Sequence, residues 1–312
     1  MSEPILKVAN LIKNYGSYRA VDKISFEVPK GKVIGLLGPN GAGKTTTIQV
    51  LLGITLANGG TIEYFGKNFF KHRQESLQRI NFASAFNTLQ GRISVYENLL
   101  VFAYLYGVKN PKEKINKFLE FFEIEELRNQ RYWDLSAGQK TRVNLVKCLL
   151  NDPELILMDE PTASLDPDIA DKTISLIEKL KEEKHISILF TSHDMEEVAR
   201  VCDEVIFLNQ GKIVAQDTPL GLTKRAGKAS LWITFDSELS KIEKVLKNLK
   251  LSFKFSNKQS VIIETEEKNI PKIFSNLEKE KIFVTDVEVK RPTLEDVFLQ
   301  IARGGENVIY EN

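Results

Sequence analysis

Apolar residues in the first thirty positions recur at short, uneven intervals. Ile5, Val8 and Leu11 mark one β segment and Val21 to Val28 another, closed by the turn Pro29-Lys30-Gly31. The pattern then changes. Val33-Ile34-Gly35-Leu36-Leu37 is a continuous apolar run, as expected of a strand buried on both faces. It stops at a glycine-rich stretch, and Thr46 to Leu52 continues as a helix. Leu155 to Met158 and Ile186 to Phe190 repeat the doubly buried pattern, ending in Asp159-Glu160 and Thr191-Ser192-His193. Helical segments lie between these runs, and Pro111 separates two helical stretches within Leu77 to Phe122. Strands alternating with helices predict an α/β fold with a mainly parallel sheet, whose ligands bind beyond the carboxyl ends of the strands. The three polar motifs all sit at those ends.

Near Thr218-Pro219 the character changes again, and Lys224-Arg225-Ala226-Gly227-Lys228 reads as a linker. A smaller module follows. Leu231 to Phe235 is a strand; Ile242, Val245, Leu246 and Leu249 form one face of a helix; Ser252–Phe255 and Val261–Glu264 are strands. Ile270, Ile273, Phe274 and Leu277 repeat the helical stripe before a last strand, Phe283 to Val289. The order β-α-β-β-α-β predicts a ferredoxin-like α+β domain. A terminal helix carries Leu294, Val297, Phe298 and Ile301, with Thr293 and Asp296 as its cap after Pro292. These stripes read as core. The expected domains are therefore 1–224 and 225–312.

Composition narrows the classes. The 312 residues carry 43 basic and 42 acidic side chains, with 42% hydrophobic and 27% charged residues, as in ordinary globular proteins. A net charge of +1 argues against a protein built to grip nucleic acid. The two cysteines, Cys148 and Cys202, cannot make a disulfide framework or a zinc site alone and are expected to be buried free thiols in a reducing compartment. Met1 to Asn10 lacks the apolar core of a secretory signal, and the most lipid-like run, Leu99 to Val108, falls short of the roughly 18 residues a membrane span requires.

Gly38-Pro39-Asn40-Gly41-Ala42-Gly43-Lys44-Thr45 is a complete phosphate-loop motif between a buried strand and a helix. Its backbone N–H groups can curl around phosphates, Lys44 can reach the β and γ oxygens, and Thr45 can offer a hydroxyl to Mg²⁺. Asp159, ending a buried strand, supplies a second Mg²⁺ contact, and Glu160 can orient and polarise an attacking water. Leu135-Ser136-Ala137-Gly138-Gln139 precedes a further helix, Lys140 to Leu150; alone it could be an N-cap.

In this order the motifs resemble the ATP-binding subunits of ABC transporters over roughly residues 1–222. The resemblance implies a phosphate-loop ATPase core with an antiparallel β subdomain and a helical insertion at about 86–150. It implies ATP and Mg²⁺ as cofactors, the nucleotide being held by Gly38, Asn40, Gly41, Gly43, Lys44, Thr45 and Thr46, and the metal by Thr45 and Asp159. Tyr15, in Lys13-Asn14-Tyr15-Gly16, matches the aromatic that stacks on adenine. Lys44, Glu160 and His193 match the catalytic set, His193 as the switch histidine on the γ-phosphate; His72 and His185 receive no role. Ser136, Gly138 and Gln139 match the signature that reaches the nucleotide of a second copy in a head-to-tail dimer, and Ser164-Leu165-Asp166 matches the loop that crosses the dimer. The implied partner is an integral-membrane permease, which would hold the chain at the inner face of the cell membrane. A soluble ABC-type ATPase acting on ribosomes or DNA is the alternative, but this chain has one phosphate loop, one signature and no sustained heptads. A simple kinase or GTPase would lack the signature and His193. The C-terminal module, ending Arg291-Pro292-Thr293-Leu294-Glu295-Asp296-Val297-Phe298, resembles the extension of exporter-type subunits of the daunorubicin-resistance family, implying assembly or regulation.

Two departures stand out. Ala137 occupies a signature position where the family most often has glycine. In Arg79-Ile80-Asn81-Phe82-Ala83-Ser84-Ala85, the usual glutamine of the loop that couples the site to its membrane partner is replaced by Ala85; Asn87 and Gln90 lie nearby but out of register.

Overall fold

The structure is a computed structural model that describes residues 3–85, 88–163, 165–225 and 228–302. One compact unit ends at Pro219 and a second begins at Leu220. The first unit holds two sheets. Strands β1 (Leu6–Tyr15), β2 (Tyr18–Val28), β4 (Gly59–Tyr64) and β5 (Lys67–Asn68) form an antiparallel sheet in the order β2-β1-β4-β5. Strands β3 (Val33–Leu37), β6 (Ile80–Ser84), β7 (Leu155–Asp159), β8 (Ser187–Thr191), β9 (Glu204–Asn209) and β10 (Lys212–Asp217) form the second, in the order β10-β9-β3-β8-β7-β6. This sheet is parallel except for β10, which returns antiparallel along β9. Every residue of β3 and β8 is buried, as their unbroken apolar runs require.

Helix α1 (Lys44–Leu51) lies between the sheets. One apolar core joins Leu6, Phe26 and Tyr64 of the antiparallel sheet to Leu36, Leu157 and Ile206 of the parallel one through Ile48 and Leu51. Burying each of these side chains stabilises the fold by roughly 1.5–3 kcal/mol. Tyr64 Oη donates 2.9 Å to the Leu51 carbonyl, satisfying one of the acceptors left at the helix end. The short helix α2 (Arg73–Gln78) leads into β6.

The helical part consists of α3 (Val95–Leu105), α4 (Pro111–Phe121) and α5 (Ala137–Leu149), with Pro111 in the first turn of α4, where its missing N–H costs nothing. Helices α6 (Pro167–Lys184) and α7 (Met195–Val201) complete the first unit. Lys224 and Arg225, expected in a linker, instead end α8 (Pro219–Arg225), which a proline opens; Ala226 and Gly227 lie outside the described residues. Both cysteines are buried and free, and burial pushes each thiol pKa up.

The second unit runs β11 (Ala229–Asp236), α9 (Leu239–Asn248), β12 (Ser252–Asn257), β13 (Ser260–Thr265), α10 (Ile270–Lys279) and β14 (Phe283–Lys290). Its sheet order, β12-β13-β11-β14 with every pair antiparallel, is that of a split β-α-β unit repeated, the ferredoxin-like topology. Leu231, Ile233, Phe235, Val261 and Ile263 pack against Ile242, Leu246, Ile273 and Leu277 of the two helices. At α11 (Leu294–Ala302), Thr293 Oγ1 accepts from the Asp296 N–H while Asp296 Oδ2 accepts from the Thr293 N–H, the reciprocal cap expected from the sequence.

Candidate nucleotide site

β3 ends at Leu37, and the chain turns at once into a loop whose glycines Gly38, Gly41 and Gly43 have φ of 150°, 81° and 103°. Two of them are demanded by space as well. A Cβ at Gly38 would lie 2.2 Å from the Leu208 carbonyl oxygen, and one at Gly43 2.4 Å from that of Ala20. β9 and β2 thus press the loop from outside, and only bare backbone fits. Gly43 is also the N-cap of α1, and no side chain caps that helix. Its first-turn N–H groups and the positive end of its dipole are left for an anion.

Lys44 is 7% exposed, and its Nζ donates to the carbonyls of Gly38 (2.6 Å) and Pro39 (3.2 Å). Burial pulls its pKa below the ordinary lysine value, against the opposing fields of Glu160 and Asp159. The fold has therefore brought these carboxylates, more than a hundred residues away in sequence, to bear on the phosphate-loop lysine. Asn40 and Thr45 are exposed and Thr46 half-buried.

The register of the parallel strands explains the convergence. Ser84, Asp159 and Thr191 stand side by side at the carboxyl ends of β6, β7 and β8. Thr191 Oγ1 donates to Asp159 Oδ1 at 2.7 Å. Glu160 follows with φ 51°, a left-handed conformation unusual for a non-glycine residue. Its N–H holds the turn by donating to the Thr191 carbonyl (3.1 Å) and hydroxyl (3.0 Å). His193 Nε2 then lies 2.6 Å from Glu160 Oε1.

Ala85 comes one residue beyond Ser84, so the residue that follows β6 brings no polar side chain to this end of the sheet. Asn87 lies outside the described residues. Gln90 is engaged elsewhere: its N–H donates to Asn98 Oδ1, its carbonyl accepts from Asn98 Nδ2, and its side-chain oxygen accepts from the Arg92 N–H.

Ser136 is the N-cap of α5, with its hydroxyl accepting from the Gln139 N–H (3.3 Å) and its own N–H donating to Gln139 Oε1 (2.9 Å). Ala137 takes up ordinary helical backbone, so the methyl in place of a family glycine is accommodated without strain. Gly138 is buried, and a Cβ there would lie 2.3 Å from Ile169 Cγ2 on α6. Ser164 lies outside the described residues; Asp166 is the N-cap of α6.

Tyr15 is 45% exposed at the β1–β2 turn, with Lys13 Nζ 4.8 Å from its ring centroid. Its cross-strand partner was not legible as a site residue: Tyr18, paired with Tyr15 across the turn, donates its hydroxyl to the Gly41 carbonyl at 3.2 Å. The two-residue turn Gly16-Ser17 was the available signal, because it puts both tyrosines at one end of the hairpin.

Among the described residues no group of three or more His, Cys, Asp or Glu converges to hold a metal ion. A divalent cation at the phosphate loop would find Asp159 and the Thr45 hydroxyl and draw its other ligands from phosphate and water. That donor set fits magnesium.

An uncapped helix behind a glycine loop, with a lysine, two carboxylates and a histidine at its mouth, defines a nucleoside-triphosphate hydrolase. Residues 21–163 match the ABC transporter family, and residues 223–302 match the family described as the ATP-binding protein DrrA1-3-like, C-terminal domain. The bacitracin transport ATP-binding protein BcrA of Bacillus licheniformis is 32% identical over 311 residues, covering 96% of this chain and 98% of the relative. The Nod factor export ATP-binding protein I of Ralstonia nicotianae is 38% identical over 226 residues, 70% of this chain and 68% of the relative. A solved ATP-binding cassette of an ABC transporter, in its ADP conformation, superposes with a TM-score of 0.62 at 28% identity, covering 69% of this chain and 91% of that one. The structure of cbiO1 from Clostridium perfringens, part of the ABC transporter complex cbiONQ, gives 0.65 at 27% identity over 80% of this chain and 97% of that one. The chain belongs to the ATP-binding subunits of ABC transporters and is an ATPase whose hydrolysis is coupled to transport. No helix of the described residues is long and apolar enough to cross a membrane.

Proposed function

We propose that two copies of this chain close head to tail around two ATP molecules and that closure drives a separate integral-membrane permease in export. The hydrolytic part of the reading is supported by the 2.6 Å approach of His193 to Glu160, beside a buried Lys44 that feels both Glu160 and Asp159. Export is supported by the Nod factor export relative, and a separate permease by the ATP-binding proteins that the relatives' names describe.

In this reading the phosphate-loop N–H groups and Lys44 bind the β- and γ-phosphates, and Tyr15 stacks on the adenine. Mg²⁺, held by Thr45, Asp159 and phosphate oxygens, would neutralise charge on the transferring group. Glu160 orients the attacking water and accepts its proton, while His193 holds Glu160 and the γ-phosphate in register. Ser136, Gly138 and Gln139 complete the site of the other copy, and Asp166 lies on the crossing loop between them. A dimer of this kind is isologous, so each chain supplies one phosphate loop and one signature. The permease would keep the dimer at the inner face of the membrane, and the C-terminal unit would act in assembly or regulation.

Glu160→Gln keeps the side chain's shape and removes its charge and basicity. With ATP and Mg²⁺ this variant is expected to accumulate as a nucleotide-loaded dimer in size-exclusion chromatography, with turnover lowered about 10²–10³-fold. Lys44→Ala is expected to lose nucleotide binding itself. Wild-type turnover in Glu160→Gln would remove Glu160 from its role.

A further inference from the structure

We propose that Glu197, in the first turn of α7, is a positioning residue for ATP hydrolysis: its carboxylate braces the two loops that carry Glu160 and His193. The proposal rests on the reading of those two residues as the reacting pair.

A single oxygen makes the brace. Glu197 Oε2 accepts from Thr162 Oγ1 at 2.8 Å and from Ser192 Oγ at 2.6 Å. Thr162 stands two residues after Glu160 on the loop leaving β7, and Ser192 directly before His193 on the loop leaving β8. Both residues are buried, with Thr162 8% and Ser192 5% exposed. Ser192 Oγ also accepts from the Asp194 N–H at 3.0 Å, so the carboxylate fixes the turn on which His193 projects. Beside these loops is a cavity of about 430 Å³ whose walls include Glu160, Thr162, Ser192, His193 and Glu197.

The brace is itself anchored. Asp194 Oδ1 accepts from the N–H groups of Glu196 and Glu197, starting α7 firmly. One turn further on, Arg200 grips Glu178 with two nitrogens and Asp171 with a third, bolting α7 to α6. Burial, and then the nearby Asp194 charge, push the Glu197 carboxyl pKa up against its two hydroxyl donors. A neutral amide can accept the same two bonds, so the task is geometric rather than one of charge.

Steady-state ATPase of the full chain tests this. Glu197→Ala is expected to lower kcat about tenfold or more, with the KM for ATP within about threefold of wild type, because misplacement of a reacting pair is felt in the transition state. Glu197→Gln is expected to keep at least about half of kcat. In a His193→Ala background, Glu197→Ala is expected to cost less than in the wild type, because the half of the brace that acts through Ser192 then has no histidine left to position. The proposal is overturned if Glu197→Ala keeps wild-type kcat, if its loss is the same in both backgrounds, or if the loss is confined to KM. Should Glu197→Ala not fold, Thr162→Val and Ser192→Ala each remove one hydroxyl and carry the same expectation of a kcat loss without a KM change. Wild-type kcat in both would likewise overturn it. An inactive Glu160→Gln beside a fully active Glu197→Ala would sink the brace alone, whereas an active Glu160→Gln would remove the reading beneath it.

Discussion

Two helix N-termini in this chain are built in opposite ways. α1 starts from Gly43 in a left-handed conformation with no side-chain cap, so no side chain occupies its terminal donors. α5 starts from Ser136 with a complete capping box, and its serine and glutamine are spent on each other. The first end is open in the chain as it stands; the second is closed by its own side chains. In the dimer proposed above, this difference sets which half of the site is ready before assembly. A phosphate group can enter the α1 end directly, but at α5 it must displace or share the hydrogen bonds that Ser136 and Gln139 already make.

The largest effect that would break this contrast is expected at Gly43. Gly43→Ala places a methyl against the Ala20 carbonyl at a backbone φ of 103°. Strain of roughly 3 kcal/mol in the bound loop is more than a hundredfold in affinity, and equilibrium ATP binding by nucleotide fluorescence checks it. Unchanged affinity would mean the loop tolerates a side chain and is not the donor cradle described.

Ser136→Ala should act on the other end and in another currency. Loss of the cap is expected to cost about 1 kcal/mol of stability, readable as a drop in Tm of a few degrees. ATP binding to the isolated chain is expected to stay at wild-type level, while turnover under conditions that form dimers falls by about tenfold or more. If binding to the isolated chain fell instead, α5 would be serving the nucleotide of its own chain.

The smallest effect concerns the loop between them. Ala85 can neither coordinate a metal nor hydrogen-bond a water, and Gln90 is held by Asn98. Ala85→Gln is therefore expected to raise kcat severalfold with ATP affinity unchanged, measured with and without the membrane partner. No gain would show that another group already fills the glutamine's place.

The chemistry-bearing strands were legible because burial on both faces leaves a continuous apolar run, and β3, β7 and β8 each have one. The region from Gly59 to Gln78 was not read. There β4, β5 and α2 are short, and Tyr64 and Phe69 enter the core from segments with mixed polar neighbours. Lys224 and Arg225 looked like linker because charged residues dominate there, yet Pro219 opens a helix through them. At the site, the motif supplied Lys44, Asp159, Glu160 and His193 one by one. Their mutual geometry was beyond it, because strand register, not sequence spacing, sets the row of Ser84, Asp159 and Thr191. Tyr18 and Glu197 were invisible for the same reason: their partners are Gly41, Thr162 and Ser192, in other elements.

Gly138 bears on how such a chain can drift over generations. It touches the signature face, yet the wall it meets is Ile169 of its own α6, 2.3 Å from where a Cβ would sit. A lineage that enlarges position 138 first must crowd a β-branched neighbour before any gain or loss in chemistry is felt. One that first shrinks Ile169 opens a gap whose cost precedes its use. Either order passes through a less stable ancestor, so change at one position carries a packing cost at the other. Invariance at Gly138 among descendants would record that packing history as much as any contact with nucleotide.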